Sequence, residues 1–322
     1  MNKPYQAKVP RRAFLREASA LALAVSISAR AADTNQQSNQ TERKGRRIGF
    51  VDHNLENYHA NVFLQALRGP LAHRGFTIGG ATGTKTGESR AWAEKNKIPY
   101  FEDEAALNSA VDYFMVLAPS NPEVHLELCR RVFPYRKPTY VDKTFAPDFV
   151  TAAKIFKLAD EHGTAVQTSS SLRYTNVQTE VAKAPPGVIE HMITWGGGGS
   201  FDEYAIHPLE MLISVMGPEV TALMRRGTPE HAQLLIDFSA ARTGVANVFA
   251  KTNTPFAASF TTKEATRYIE ADTSKIFANN QAAILDFFAS GRPNIDRREA
   301  LTLMRLLDAA RDPRALKNFV PV

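Results

Sequence analysis

The pattern of apolar and polar positions divides the chain into three stretches. From Arg47 onward, short apolar runs alternate with segments of helical period. Ile48-Gly49-Phe50-Val51 reads as a buried strand, and a helix predicted over 57–67 places Val62, Phe63 and Leu67 on one face. Further strands are predicted over 76–78, 113–117 and 139–141, with helices over 89–96, 122–132 and 147–162. Strands alternating with helices imply parallel pairing through right-handed crossovers. Residues 47–170 are therefore expected to form an α/β domain, a Rossmann-like doubly wound parallel sheet, whose ligands sit beyond the carboxyl ends of the strands.

After Arg173 the apolar runs lengthen. Strands are predicted over 189–195, 233–238, 244–251, 257–262 and 266–271, with Leu234, Ile236 and Phe238 alternating towards one face. A helix over 204–216 and two more over 279–290 and 297–311 complete an α+β domain, 171–322, with a mostly antiparallel open-faced sheet. No internal repeat is present.

The opening stretch is different. A basic segment ends in Pro10-Arg11-Arg12-Ala13-Phe14-Leu15-Arg16, an apolar run over 18–27 follows, and Ala29-Arg30-Ala31 supplies small residues for cleavage. The run falls short of the ~20 residues that a membrane-spanning helix needs. Residues 1–31 are thus expected to be an export leader, and the Arg-Arg-x-Phe-Leu core resembles the twin-arginine (Tat) signal. That resemblance implies an exported, periplasmic location for a protein folded with its cofactor already loaded. Residues 32–46 are polar and aperiodic, the pattern of a linker. No later segment reaches membrane-spanning length, so no membrane association is expected once the leader is removed.

Charge follows the same division. Of the formal net +6, five charges fall in residues 1–31, where six Lys and Arg face Glu17 alone. The remainder is nearly neutral and offers no electrostatic footprint for nucleic acid. An apolar content of 44% with 22% charged residues excludes a largely disordered chain. Cys129, the single cysteine, excludes an intramolecular disulfide and a Cys-rich zinc site. Asp52, His53 and His59 lie on a turn without helical spacing, so no metal triad is expected.

The first strand-to-helix turn departs from the dinucleotide fingerprint. Where Gly-x-Gly-x-x-Gly lets the backbone approach a pyrophosphate, this chain has Asp52, Asn54 and Asn57. Asn tolerates left-handed backbone angles, whereas Asp52 and Glu56 would face an anion. Past the second strand, Gly80-Ala81-Thr82-Gly83-Thr84 leads to Lys85, which can meet a 2′-phosphate; no acid stands there for a ribose hydroxyl.

Three further motifs occur in order. Ala118-Pro119-Ser120-Asn121-Pro122-Glu123-Val124-His125 follows the third strand, Tyr140-Val141-Asp142-Lys143-Thr144 the fourth, and Glu203-Tyr204-Ala205-Ile206-His207-Pro208-Leu209-Glu210 a glycine-rich stretch. Together they resemble the Gfo/Idh/MocA family of NAD(P)-dependent oxidoreductases over essentially the whole of 47–322. The resemblance implies NAD or NADP as cofactor, a small carbohydrate or polyol as substrate, and a homo-oligomer, dimer or tetramer, built on the open sheet.

The resemblance also implies roles. Asp142-Lys143-Thr144 stands for the family's Glu-Lys-Pro, with Lys143 near the nicotinamide and the substrate hydroxyl, Asp142 and Asn121 beside the cofactor, and His125 at the start of the next helix. Glu203-x-x-x-His207 stands for Asp-x-x-x-His, with His207 as general base and Glu203 tuning it from the same helix face. Glu210 matches a further acid, and Arg173 and Tyr204 are expected to face substrate. Gly196-Gly197-Gly198-Gly199 marks either a close backbone approach or a flexible turn. Two other functions share these features: glycoside cleavage through bound NAD, and carbohydrate binding by a chain that has lost the nucleotide.

Overall fold

The computed structural model describes residues 45–185 and 188–322. The expected leader and the linker as far as residue 44 lie outside the described residues.

The first sheet is five parallel strands in the order β2-β1-β3-β4-β5, formed by β1 (Arg47–Asp52), β2 (Thr77–Gly83), β3 (Tyr113–Val116), β4 (Thr139–Val141) and β5 (Val166–Gln167). Ile48, Phe50 and Val51 of β1 are fully buried, as strands covered on both faces require. The crossovers carry α1 (Tyr58–Arg68), α2 (Thr86–Lys95), α3 (Glu104–Asn108), α4 (His125–Val132) and α5 (Phe149–His162). Side chains cap three of them: Asn57 accepts from the Ala60 amide, Asp103 from Ala106 and Asp148 from Thr151.

One difference from the sequence pattern bears on the site. The second strand runs past residue 78 to Gly83, because its glycines meet neighbours too close for a side chain. A Cβ at Gly80 would stand 2.4 Å from the Phe101 ring, and one at Gly83 would stand 2.2 Å from Ser89 Oγ. What reads as a loop is a strand pressed against its surroundings.

The second sheet has seven strands in the order β11-β10-β6-β9-β8-β7-β12. They are β6 (His191–Gly198), β7 (Val220–Gly227), β8 (His231–Phe238), β9 (Thr243–Ala250), β10 (Ala257–Thr261), β11 (Thr266–Glu270) and β12 (Val320–Pro321). Every pairing is antiparallel except β6 with β9. The strand β7 was not among those read from the pattern. A short helix α6 (Asn176–Val181) precedes the sheet, and α7 (Phe201–Tyr204) and α8 (Ile206–Met216) follow β6.

Leu209, Met211 and Leu212 of α8 are fully buried, with Leu234 and Ile236 of β8 in the same core. The glycine run belongs to β6, which explains it: a Cβ at Gly196 would stand 2.5 Å from the Phe256 ring and one at Gly198 would stand 2.0 Å from Tyr204. The alternate residues Ile193, Trp195, Leu235, Val245 and Phe249 stay partly exposed.

Two last helices are α9 (Ile276–Ser290) and α10 (Arg297–Arg311). The latter buries Leu303, Leu306 and Leu307 in the core shared with α8. Although α9 follows the second sheet in sequence, Ile284, Leu285, Phe287 and Phe288 join the core of the first, and Phe288 stacks on Tyr113 at 4.7 Å. Division of the chain at 170 therefore does not divide the packing.

Candidate active site

The strand β4 delivers Asp142 and Lys143 to the carboxyl edge of the first sheet. Asp142 is buried, yet it is fully bonded. Its Oδ2 lies 2.5 Å from His59 Nδ1, and its Oδ1 accepts the Lys143 amide at 2.8 Å and faces the Tyr140 hydroxyl at 3.3 Å. Burial pushes this carboxyl up, but the charges of His59 and Lys143 and the hydrogen bonds reverse the sign and hold it below the ordinary range. An ionised carboxylate can only accept, so His59 Nδ1 is the donor. The Lys143–Thr144 peptide is cis, and Lys143 Nζ donates to the Pro119 carbonyl at 3.3 Å. A cavity of about 400 Å³ opens beside Lys143, Pro119, Ser120 and Thr144, and reaches Asp202 and Glu203.

His207 lies at the start of α8 with partial solvent access. Its Nδ1 is 2.8 Å from Ser170 Oγ, and its ring stands edge-on to Tyr204 at 5.5 Å and Phe256 at 6.0 Å. Desolvation first, then the charges of Lys143 and His59, push its pKa down to about 3. The imidazole is neutral. Tyr204 stands next to His207.

Glu203 does not join His207. Ser200-Phe201-Asp202-Glu203 is a capping sequence: Ser200 Oγ accepts the Glu203 amide at 3.3 Å and meets its carboxylate at 3.4 Å. A carboxylate at this position turns back to the cap, which outweighs the four-residue spacing to His207. Glu203 is exposed. The expectation that it tunes the imidazole is corrected.

Arg173 is likewise committed elsewhere. It donates to Glu210 at 2.6 Å and pairs closely with Glu299, which ties the loop after β5 to α8 and α10. Only 11% of its side chain is exposed, so it presents no free guanidinium to a substrate. Glu210 is the buried partner in this tie: burial raises its pKa and Arg173 opposes the rise. His125 starts α4, where its Nδ1 and Nε2 lie 3.1 Å and 2.6 Å from the Phe145 and Leu117 carbonyls.

The turn after β1 satisfies itself. Asn54 N donates to Asp52 Oδ1 at 3.1 Å, Leu55 N to Ser89 Oγ at 3.2 Å, Glu56 N to Asn54 Oδ1 at 3.0 Å and Asn57 N to Leu55 O at 2.8 Å. Asn57 caps α1 and donates its Nδ2 to Asp52 Oδ2 at 2.8 Å. The carboxylate of Asp52 lies where a pyrophosphate would seek amides, and its burial raises its pKa to about 6. Asn54 Nδ2 bonds Glu88 at 2.7 Å, and Lys85 is half exposed, 4.0 Å from the same carboxylate. Asn121 Nδ2 donates to Glu123 at 2.9 Å, at the mouth of β3.

These observations decide how a nicotinamide dinucleotide would fit. The nicotinamide end has Lys143, the Pro119–Asn121 loop and an open cavity. The pyrophosphate end does not fit the turn in this geometry, because each amide of 54–57 already has an acceptor. The expectation that Asp52, Asn54 and Asn57 hold the cofactor, and that Asp142 touches it, is therefore corrected. Their polar groups are used within the protein.

No family model and no curated protein sequence matches the chain. Solved structures do. A probable dehydrogenase from Thermotoga maritima superposes with a TM-score of 0.74 over 85% of this chain and 98% of that one, at 13% identity. The apo scyllo-inositol dehydrogenase of Lactobacillus casei gives 0.73 over 86% and 98%, at 12% identity. GenD2 from gentamicin A biosynthesis, in complex with NAD, gives 0.71 over 86% and 96%, also at 12% identity. The chain shares the fold of these three proteins. At this level of identity the likeness concerns the fold, and residue roles rest on the geometry above.

Two residues of the site escaped the sequence reading. His59 was seen only as a neighbour of the altered turn, and its partner lies 83 positions away. Ser170, inside Ser169-Ser170-Ser171, gave no signal beyond composition. Among the described residues no His, Cys, Asp and Glu group is placed to hold a metal ion, and no helix is long and apolar enough to cross a membrane.

Proposed function

We propose that this chain is an NAD(P)-dependent oxidoreductase of the Gfo/Idh/MocA type, acting on a CH–OH group of a sugar, cyclitol or related polyol. The observation that carries the reading is Lys143, fixed at the carboxyl end of β4 beside a cavity of about 400 Å³, in a fold shared with dehydrogenases. A bound nicotinamide supplies the acceptor or donor of hydride. The chain's own residues handle charge and protons. The Lys143 ammonium, anchored through its amide to Asp142 and through Nζ to Pro119, stabilises alkoxide character on a substrate oxygen. An imidazole of the site accepts or returns the proton of the substrate hydroxyl. The loop of Pro119 to Asn121 would hold the nicotinamide end.

The self-satisfied turn after β1 favours a second reading, a carbohydrate-binding chain without nucleotide. One experiment separates the two. Mass spectrometry of the freshly purified, denatured protein releases NAD or NADP under the first reading. If no nucleotide is released, and NAD and NADP added at millimolar concentration give no turnover with inositols or aldoses, the second reading stands.

Two further parts of the proposal concern the whole molecule. Arg11-Arg12-Ala13-Phe14-Leu15 supports export by the Tat route, and the partly exposed Ile193, Trp195, Leu235, Val245 and Phe249 support a homo-oligomer formed through the second sheet. Export is tested by changing Arg11-Arg12 to Lys-Lys, which should retain the protein in the cytoplasm; normal export of that variant removes the assignment.

A further inference from the structure

His207 is the histidine that the sequence motif singles out, but its surroundings do not make it a base. It has no carboxylate partner, its Nδ1 faces a hydroxyl, and burial beside Lys143 and His59 disfavours its protonation. A group so reluctant to take a proton is a weak general base near neutral pH.

The other imidazole of the site is built differently. His59 is the second residue of α1, and its Nδ1 is 2.5 Å from the buried Asp142 carboxylate. That carboxylate is itself immobilised by the Lys143 amide at 2.8 Å, while the Tyr140 hydroxyl donates to the Ser169 carbonyl at 2.9 Å. Around the ring stand Tyr58 at 6.1 Å and Phe63 at 5.8 Å from its own helix, and Phe277 at 5.7 Å from α9. Asp142, from the end of β4, bonds it and His207 of α8 lies within reach of its charge; Lys143 acts on both of these neighbours, and Tyr140 lies behind Asp142. The ring keeps 12% of its surface accessible, and its Nε2 has no hydrogen-bond partner among the described residues.

A carboxylate bonded to Nδ1 fixes the tautomer, leaves the lone pair on Nε2, and stabilises the imidazolium that forms when Nε2 takes a proton. We propose that His59, oriented by Asp142, is the general base of this site and that His207 is not. The proposal rests on the functional reading above. In the step, the O–H bond of a substrate hydroxyl breaks, its proton passes to His59 Nε2, and the electron pair stays on oxygen beside the Lys143 ammonium. Asp142 is then the positioning residue for both groups, through the ring of one and the amide of the other.

The test uses the purified protein and two independent readouts. Nitrogen-15 NMR of the histidine rings shows, for the neutral His59 ring, a protonated Nδ1 and a bare Nε2, and D142N abolishes that preference. The opposite tautomer, with Nε2 protonated, overturns the proposal whether or not any substrate is found. The second readout is kinetic, with NAD and myo-inositol or whichever polyol turns over. H59N keeps an amide donor at the Nδ1 position and lacks Nε2, so folding and KM are expected to hold while kcat falls by about 10²–10⁴ and the acid limb of the pH profile disappears. H207N is expected to stay within about tenfold of the wild type, since it removes no base. The reverse ranking overturns the proposal. Failure of the wild type to turn over any polyol defeats the functional reading and leaves the tautomer measurement to decide on His59.

Discussion

Two buried aspartates stand at carboxyl ends of the first sheet, with β3 between their strands, and they do opposite things. Asp52, at the end of β1, bonds its own turn and the Ala118 backbone, and burial lifts its pKa to about 6. Asp142, after β4, bonds His59 and the Lys143 amide, and these neighbours hold its pKa below the ordinary range. Both carboxylates are desolvated to a similar degree. The difference lies in what each one faces: neutral amides in the first case, cationic groups in the second. One aspartate closes a turn against ligands, whereas the other holds the His59 ring and the amide of Lys143, and Lys143 lines the cavity. A carboxylate is therefore no marker of a site until its partners are known.

Removing Asp142 gives the largest expected effect. D142A leaves His59 Nδ1 and the Lys143 amide without their acceptor, and each buried donor left unsatisfied costs about 1–3 kcal/mol. Urea unfolding at pH 7 measures it. A loss under about 1 kcal/mol, the range of exposed pairs, would place Asp142 in the class of solvated carboxylates.

The second prediction concerns the sign of the pH dependence. Because the folded-state pKa of Asp52 is raised from 3.8 to about 6, its ionised form opposes folding. That cost is complete above about pH 6 and vanishes below the ordinary value of 3.8. Asp142 has the opposite sign: its contribution is present above its unfolded pKa and is lost as pH falls through the folded one. Going from pH 7 to 4.5, the wild type should gain on D52N by something on the order of 2 kcal/mol. A difference that is flat with pH would show that Asp52 is solvated.

The smallest effect tests the corrected role of Glu203. S200A removes the cap of α7 and is expected to cost about 1 kcal/mol in thermal or urea unfolding. E203Q should cost less still and should leave the pH–rate profile unmoved, because the carboxylate meets Ser200 and not His207. A shifted profile in E203Q would restore the pairing suggested by the four-residue spacing.

The two turns also show how far the sequence reaches. The alternation of apolar runs with helical period is a local property, and it marked four of the five parallel strands because each must be buried on both faces. Lys143, at the end of a readable strand, was legible for the same reason, and so was the buried face of α8. The two-residue β5 and the one-turn α3 are too short to show a period. The strand β7 was missed, since Val220 to Gly227 is half exposed and carries no clean alternation. Gly79 to Gly83 was misread, since what forbids side chains there is Phe101, Leu107 and Ser89, none of them adjacent in sequence.

By itself, the sequence determined the order of elements, the α/β character of the first half and the places where chemistry-bearing residues cluster. These follow from period and spacing, which are local. Only the tertiary structure decided which polar groups are free. It paired His59 with Asp142 across 83 residues, gave Arg173 to Glu210 and Glu299, and folded α9 back onto the first sheet. The physical reason is that a hydrogen bond or ion pair depends on distance and desolvation, and both are set by packing between segments that have no local signal of each other.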